Sequence, residues 1–486
     1  MPSLKKNLFY NFILSASQLL LPLVSIPYVS RILRPEGIGK VSFIDSFTYY
    51  FISVAEFGVV VYGMREVARV RDNAEKKQKL VSELLALHVI TSLCSLLLYI
   101  VAIFLVWDKI QDIRLLFFSL SFLLVNFFSC EWYFLGMEEF RYITLRSLTT
   151  RMAGLVSIFL LIKSPADYYI YYAIIVISAI ANSIWNNILL FKKVGISFAG
   201  INWQRHIRYM WIIYLLDIFY SIPLMLDNLF LRLMSTDAAV GFYALSIKMA
   251  KLSSVLITDT LIVFFPRIVA LIKSENQKQL QETILQNIQL IILFSVPVSC
   301  GIFFLSDKII NVFLGKNFSP AVADLKILSI YPFIKSYSLF LSKQILISHG
   351  NEKLFLKSTV ISSITFVFLA LILSYYFAHV GICFAVIIVE IIGLLINYFY
   401  VKKINVQLKV FSWYYFFQAL AGTLLFIPII YIINKILVSY IYIIILSILS
   451  CFIVYIFFLA FVFRNKFLLQ VKTDVGKYFL NKRTHQ

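Results

Sequence analysis

LPLVSIPYVSRILRPEGIGK, the stretch from Leu21 to Lys40, returns in fainter form as IPLMLDNLFLRLMSTDAAVG, from Ile222 to Gly241. Pro22, Arg31 and Glu36 map onto Pro223, Arg232 and Asp237 at a constant offset of 201. One inserted residue then moves the register, and Gly39, Arg65, Val67, Ala68, Arg71 and Lys76 map onto Gly241, Arg267, Val269, Ala270, Lys273 and Lys278 at an offset of 202. A single gap that serves six matches points to an internal duplication, the usual construction of membrane transporters.

The composition agrees with that reading. Of 486 residues, 61% are hydrophobic and only 14% are charged, and the mean hydropathy is +0.88. Such a chain is an all-α polytopic membrane protein rather than a soluble one. The net charge of +20 does not indicate nucleic acid, because the basic residues lie in short tracts between long apolar runs. The five cysteines sit inside apolar runs without metal or disulfide spacing, and the five histidines show no ligand spacing. No phosphate-loop, H-E-x-x-H or G-x-S-x-G motif occurs, so no catalytic residue is expected and the chain reads as a transporter, not an enzyme.

A bilayer core of about 30 Å takes about 20 apolar residues per helix. Fourteen spans are expected on that basis, at approximately 8–33, 42–63, 84–106, 115–136, 143–162, 168–190, 210–234, 242–266, 287–306, 327–347, 358–378, 381–401, 412–434 and 438–463. Lysine and arginine concentrate in the segments that share a side with the N-terminus, including 65–79, 192–208 and the tail from Arg464. Both termini are therefore expected in the cytoplasm. The segments 65–83 and 267–286 read as short amphipathic helices on that side, and the longest outward loop is expected around 306–326. The two copies begin at spans one and seven, so both halves enter the membrane in the same direction. This gives two parallel six-helix repeats, residues 1–200 and 201–403, followed by two additional helices and a basic tail in 404–486.

Charges inside spans cost about 2.5–3.5 kcal/mol at a helix centre on insertion scales, so they are usually paired or functional. Span eight carries Lys248, Lys251 and Asp259, with Asp259 returning to the face of Lys248. Span ten carries Lys335 and Lys343, span seven Asp217, span two Glu56, span four Glu131, and span twelve Glu390. Buried lysines suit an anionic substrate, with phosphate the usual candidate, although Lys248 and Lys343 would equally be explained by snorkelling near an interface. Asp217, Asp259, Glu56 and Glu390 are candidates for coupling transport to protons or sodium, or simply for pairing with lysine. Arg31 and Arg232 stand at repeat-equivalent helix ends, where they either touch substrate or fix the loops. Span one shows a polar stripe that includes Asn11 and Gln18, and it lines a cavity or bonds a neighbouring helix.

The runs SRILRPEGIGKVSF, FGVVVYGMREVARVRD, DNLFLRLMSTDAAVGFYALSIKMAKL and FFPRIVALI resemble the bacterial polysaccharide and O-antigen flippases. That family belongs to a superfamily with the multidrug and toxic compound extruders and the lipid II flippase. The resemblance covers essentially the full chain. It implies two lobes facing each other in a V, a cationic cavity, and alternating access. An undecaprenyl-pyrophosphate-linked oligosaccharide would move from the cytoplasmic to the outer leaflet of the inner membrane. Substrate-binding residues of this kind would be Lys248, Lys251, Lys335, Lys343, Arg31, Arg232, Asn11 and Gln18, with no cofactor beyond a coupling ion. A polysaccharide polymerase and a chain-length regulator are implied as partners by the family alone. Two other classes fit the composition: an integral-membrane polymerase or ligase, which would carry a large outward loop, and a drug or ion antiporter of the same superfamily.

Overall fold

The computed structural model describes residues 4–110, 112–197, 201–261, 264–404 and 408–462. The described residues contain helices and no strand. In chain order the helices are α1 (Leu4–Glu56), α2 (Val59–Val70), α3 (Ala74–Ile110), α4 (Ile113–Asn126), α5 (Glu131–Gly136), α6 (Phe140–Leu161), α7 (Tyr168–Lys193), α8 (Gln204–Met225) and α9 (Asp227–Met234). They continue as α10 (Asp237–Leu261), α11 (Phe264–Lys273), α12 (Gln277–Phe313), α13 (Ala321–Leu328) and α14 (Tyr331–Leu339), which runs into a π-helical turn at Phe340–Leu346. The last are α15 (Glu352–Ile404), α16 (Trp413–Leu424), α17 (Phe426–Ile436) and α18 (Tyr440–Phe461).

Among the described residues, nine helical runs are long and apolar enough to cross a membrane, or ten if the pair bent by 43° at α8 and α9 counts as one span. Two of these runs exceed one crossing. At 1.5 Å per residue, the 53 residues of α1 or α15 would extend roughly 80 Å if straight. Each breaks at a non-helical residue, α1 at Arg34 (φ 60°) and α15 at Ala378 (φ 48°). Arg34 precedes Pro35, which disfavours α geometry in the residue before it. After the second break, Gly381 comes so close to Leu373 that a Cβ would lie 1.9 Å from its carbonyl oxygen.

Two sequence expectations are corrected. The segments 65–83 and 267–286 are not separate loop helices. In each, a short helix (α2 or α11) ends and a helix of 37 residues (α3 or α12) begins. Similarly, α12 runs on to Phe313 and α13 starts at Ala321, so the outward loop expected around 306–326 is mostly helix. In both places the polar residues that suggested a loop occupy the ends of long helices whose apolar centres supply the span.

The chain forms two compact units, Met1–Leu245 with Thr359–Val386, and Ser246–Ser358 with Ile387–Gln486. In the first unit, α3 is tied to α1 by hydroxyls that donate to main-chain carbonyls, Thr91 to Ala55 and Ser95 to Phe51, both at 2.6 Å. Bonds of this kind suit a membrane interior, where a backbone carbonyl has no water. In the second unit, Ile284, Ile288, Ile291 and Ile292 of α12 are fully buried. They share a core with Leu341, Leu346, Ala419 and Tyr455. The Tyr455 hydroxyl donates to the Leu293 carbonyl at 3.0 Å, so α18 packs on α12.

The duplication also has a physical meeting point, inside the first unit. A Cβ on Gly39 would lie 1.7 Å from the Asp237 carbonyl oxygen, and one on Gly241 would lie 2.1 Å from that of Pro35. These contacts are images of each other. Adding 202 to 39 and to 35 gives 241 and 237, so the same two positions in each copy meet reciprocally, as a two-fold relation requires. The inserted residue therefore falls ahead of Pro35, not after Glu36.

Candidate functional site

Within the second unit, α14 and α15 bring two of the sequence candidates together. Lys335 Nζ donates to Glu390 Oε1 at 2.6 Å, with both side chains largely buried. A buried pair of this kind neutralises both charges, and losing either partner would strand the other. Lys248 and Lys251 lie three residues apart on α10, Lys248 exposed and Lys251 half-buried. Lys343 is exposed on the π-helical turn. The side chain of Asp259 lies outside the described residues.

The first unit contains a polar network of which the sequence reading picked out only Glu131. Arg146 of α6 is only 2% exposed, yet its guanidinium donates to Glu131 at 2.6 Å, to Asn186 and to Ser147. Five residues on, Arg151 donates to Ser17 Oγ at 2.7 Å. Thr150 donates to Asn182 at 3.1 Å, and Tyr142 to Asn186 at 3.1 Å. Arg146 and Arg151 both lie within the fifth expected span, 143–162. The signal that pointed inward was the pair Asn182 and Asn186, four residues apart in an otherwise apolar run and so on one helical face.

The remaining candidates have these positions. Asn11, Gln18 and Arg31 are exposed on α1, Asp217 is exposed on α8, and Glu56 is half-buried where α1 ends at Phe57 and Gly58. Arg232 pairs with Asp237 and donates to the carbonyls of Ser235 at 3.2 Å and Lys109 at 3.3 Å. It therefore closes the turn between α9 and α10 and holds the end of α3.

Two clusters outside the spans are strongly polarised. Glu83 of α3 is fully buried and accepts from Arg205, from His206 Nε2 at 3.0 Å and from the Asn202 amide at 3.1 Å, while His206 Nδ1 meets the Tyr62 hydroxyl at 2.8 Å. Burial lowers the His206 pKa below its ordinary value and outweighs the opposing hydrogen bond to Glu83. On Asp112, which caps α4, partial burial opposes the charge. Hydrogen bonds from Arg114 and Tyr168 prevail and hold the carboxyl down to about 2. No group of three or more residues able to hold a metal occurs among the described residues.

Comparison with known proteins places this geometry in a wider set. The family described as "Polysaccharide biosynthesis protein" matches residues 4–272. A protein of Shigella dysenteriae named "Putative O-antigen transporter" is 23% identical over 397 residues, covering 80% of this chain and 98% of that protein. Among solved structures, the lipid II flippase MurJ in an inward closed conformation superposes with a TM-score of 0.72 at 15% identity, covering 94% of this chain and 99% of MurJ. An inward-facing MATE family multidrug resistance transporter of the MOP superfamily follows at 0.63, 15% identity, 80% of this chain and 96% of that transporter. The fold is thus the one these transporters share.

Proposed function

The chain belongs to the polysaccharide biosynthesis protein family, and on that premise we propose that it is a flippase for a lipid-linked saccharide in a bacterial inner membrane. The observation that carries the reading is the family match over 4–272 in a chain whose fold, along nearly its whole length, is shared with a lipid II flippase. The proposed cargo is an undecaprenyl-pyrophosphate-linked O-antigen or other surface polysaccharide unit, carried from the cytoplasmic to the outer leaflet by alternating access. The lobes that alternate are 1–200 and 201–403, with both termini cytoplasmic and the helices of 404–486 as an added pair.

Transport of such a lipid requires a pyrophosphate to enter a region where an unpaired charge is costly. Lys248 and Lys251, on one stretch of α10, are the cations proposed to offset that charge, with Arg31, Asn11 and Gln18 offering polar contacts along α1. Lys335 and Glu390 neutralise each other in this conformation, so either binds substrate or a coupling ion only if the pair opens. Glu56 and Asp217 are the proposed coupling acids.

The test is lipid mass spectrometry on a strain lacking the protein, with a glycosidase added outside the cells. Accumulation of complete lipid-linked units that resist the enzyme is expected. Complete units that accumulate in glycosidase-accessible form would refute flipping and favour a polymerase. Lys248→Ala with Lys251→Ala should reduce surface polysaccharide while insertion is retained, and unchanged polysaccharide would remove these lysines from the mechanism.

A further inference from the structure

We propose that the connection between the two repeats is a strap that protonation of His206 releases, its flanks 194–197 and 202–206 being latched to α2 and α3 around Glu83. Ser197 donates its amide to Ser82 Oγ at 3.0 Å, and Asn202 donates its amide to Glu83 Oε1 at 3.1 Å. Two consecutive residues of α3 thus take one main-chain donor from each flank. Val194, Ile196, Trp203 and Ile207 pack on the core that contains Leu80, Val81 and Leu84 of the same helix. The strap leads into α8, with which the second copy of the repeat opens, so the latch holds the start of that copy against the first.

Glu83 is fully buried, and its second oxygen accepts from Arg205 and from His206 Nε2, the latter at 3.0 Å. An ionised carboxylate only accepts, so Nε2 carries the ring proton and Nδ1 of the neutral ring is the acceptor. That acceptor meets the Tyr62 hydroxyl at 2.8 Å. The imidazole, 4% exposed, therefore bridges α2 and α3. A buried carboxylate is costly unless it is paired and hydrogen-bonded. Asn202, Arg205 and His206 all belong to the strap, so when the strap leaves, water must take the place of all three.

A second proton on the ring goes to Nδ1. It turns the acceptor of the Tyr62 bond into a donor, and it puts a cation beside the Arg205 guanidinium, whose Nε lies 3.3 Å from His206 Nε2. Burial is the largest influence on the ring and opposes the cation, as does Arg205, whereas Glu83 of α3 and Glu66 of α2 favour it. Arg65, over the Tyr62 ring at 5.4 Å, is paired with Glu66 at 3.0 Å. Burial prevails, so the docked His206 has a pKa below its ordinary value. The released ring, in water, titrates near about 6.5. Docking is therefore at full strength above that pH and weakens by up to about tenfold for each unit below it, until the docked pKa is reached. None of this depends on what the protein carries.

The experiment is hydrogen exchange read by mass spectrometry on the full-length protein, with rates corrected for the intrinsic pH dependence of amide exchange. Between about pH 7.5 and about pH 5.5, exchange at 194–207 should rise by up to about tenfold, the linkage of one proton to a released pKa of about 6.5. Exchange in α6 should not change. His206→Gln keeps a donor for Glu83 and does not titrate, so its exchange at 194–207 should stay low at both pH values. Glu83→Gln should raise that exchange at both. If Glu83→Gln does not fold, the comparison of wild type with His206→Gln decides alone. Equal exchange at 194–207 at the two pH values overturns the proposal. So does a rise that extends to α6, which is acid unfolding, or an equal rise in His206→Gln, which puts the trigger elsewhere.

Discussion

Replacing Gly39 with alanine should force apart the crossing at which the two repeats meet. The added Cβ would lie 1.7 Å from the Asp237 carbonyl oxygen, while ordinary contact begins near 3.4 Å, so the two backbones would have to separate by about 1.7 Å. Both partners are main chain, and no rotamer change can relieve the overlap. Overpacking of this kind typically costs about 1–3 kcal/mol, which corresponds to a population shift of about 5- to 150-fold. Val240, fully buried beside the crossing, provides the readout. In a background with Cys94, Cys130, Cys300, Cys383 and Cys451 replaced, Val240→Cys should react with a maleimide about 5- to 150-fold faster when Gly39→Ala is added, with a lower melting temperature. Gly301→Ala is the control, because nothing lies within 4 Å of its added carbon. Gly241→Ala should reproduce the effect against Pro35, and the two changes together should be less than additive, since they open one contact. If Gly39→Ala labels and melts like Gly301→Ala, the reciprocal crossing does not hold the repeats together.

Three further outcomes are expected. Glu131→Ala should destabilise the protein by about 3 kcal/mol, the lower end for a stranded buried charge, because Asn186 and Ser147 still bond Arg146. A loss below about 0.5 kcal/mol in denaturant unfolding would be that of a surface pair. Asp112→Ala removes the cap of α4, and about 1 kcal/mol should be visible as faster hydrogen exchange at Ile113–Leu116; unchanged exchange there would show that the cap is not limiting. For His206 the folded pKa is lowered, so the neutral ring is favoured in the native state. Its contribution is complete above the unfolded value of about 6.5 and is lost as pH falls through that value towards the lower folded one. The melting temperature should therefore drop between pH 7 and 5, and His206→Gln should flatten that part of the profile; an identical profile in the variant would remove His206 as the cause.

Residue order alone revealed much of this architecture. The membrane class follows from composition, because hydrophobic transfer is a local and nearly additive property of each 20-residue window. The expected segment at 168–190 corresponds to α7 within three residues, and the one at 438–463 to α18 within two. The duplication was legible because the crossing demands glycine at both Gly39 and Gly241. The break in α1 was foreshadowed by Pro35, whereas that at Ala378 has no proline to mark it.

What only the tertiary structure decided is which polar groups meet. Lys335 and Glu390 were both singled out from the sequence, yet only the folded chain brings the two side chains to 2.6 Å. Arg146 gives no sign in the sequence that Glu131 of α5 and Asn186 of α7 are its partners. The π-helical turn that carries Lys343 has no local sequence mark. The physical reason is the same in each case. Burial in a membrane depends on the average apolarity of a segment, which survives small errors of position. A hydrogen bond is made within about 3 Å, and each residue turns a helix by 100°, so one break, bulge or bend reassigns every partner beyond it.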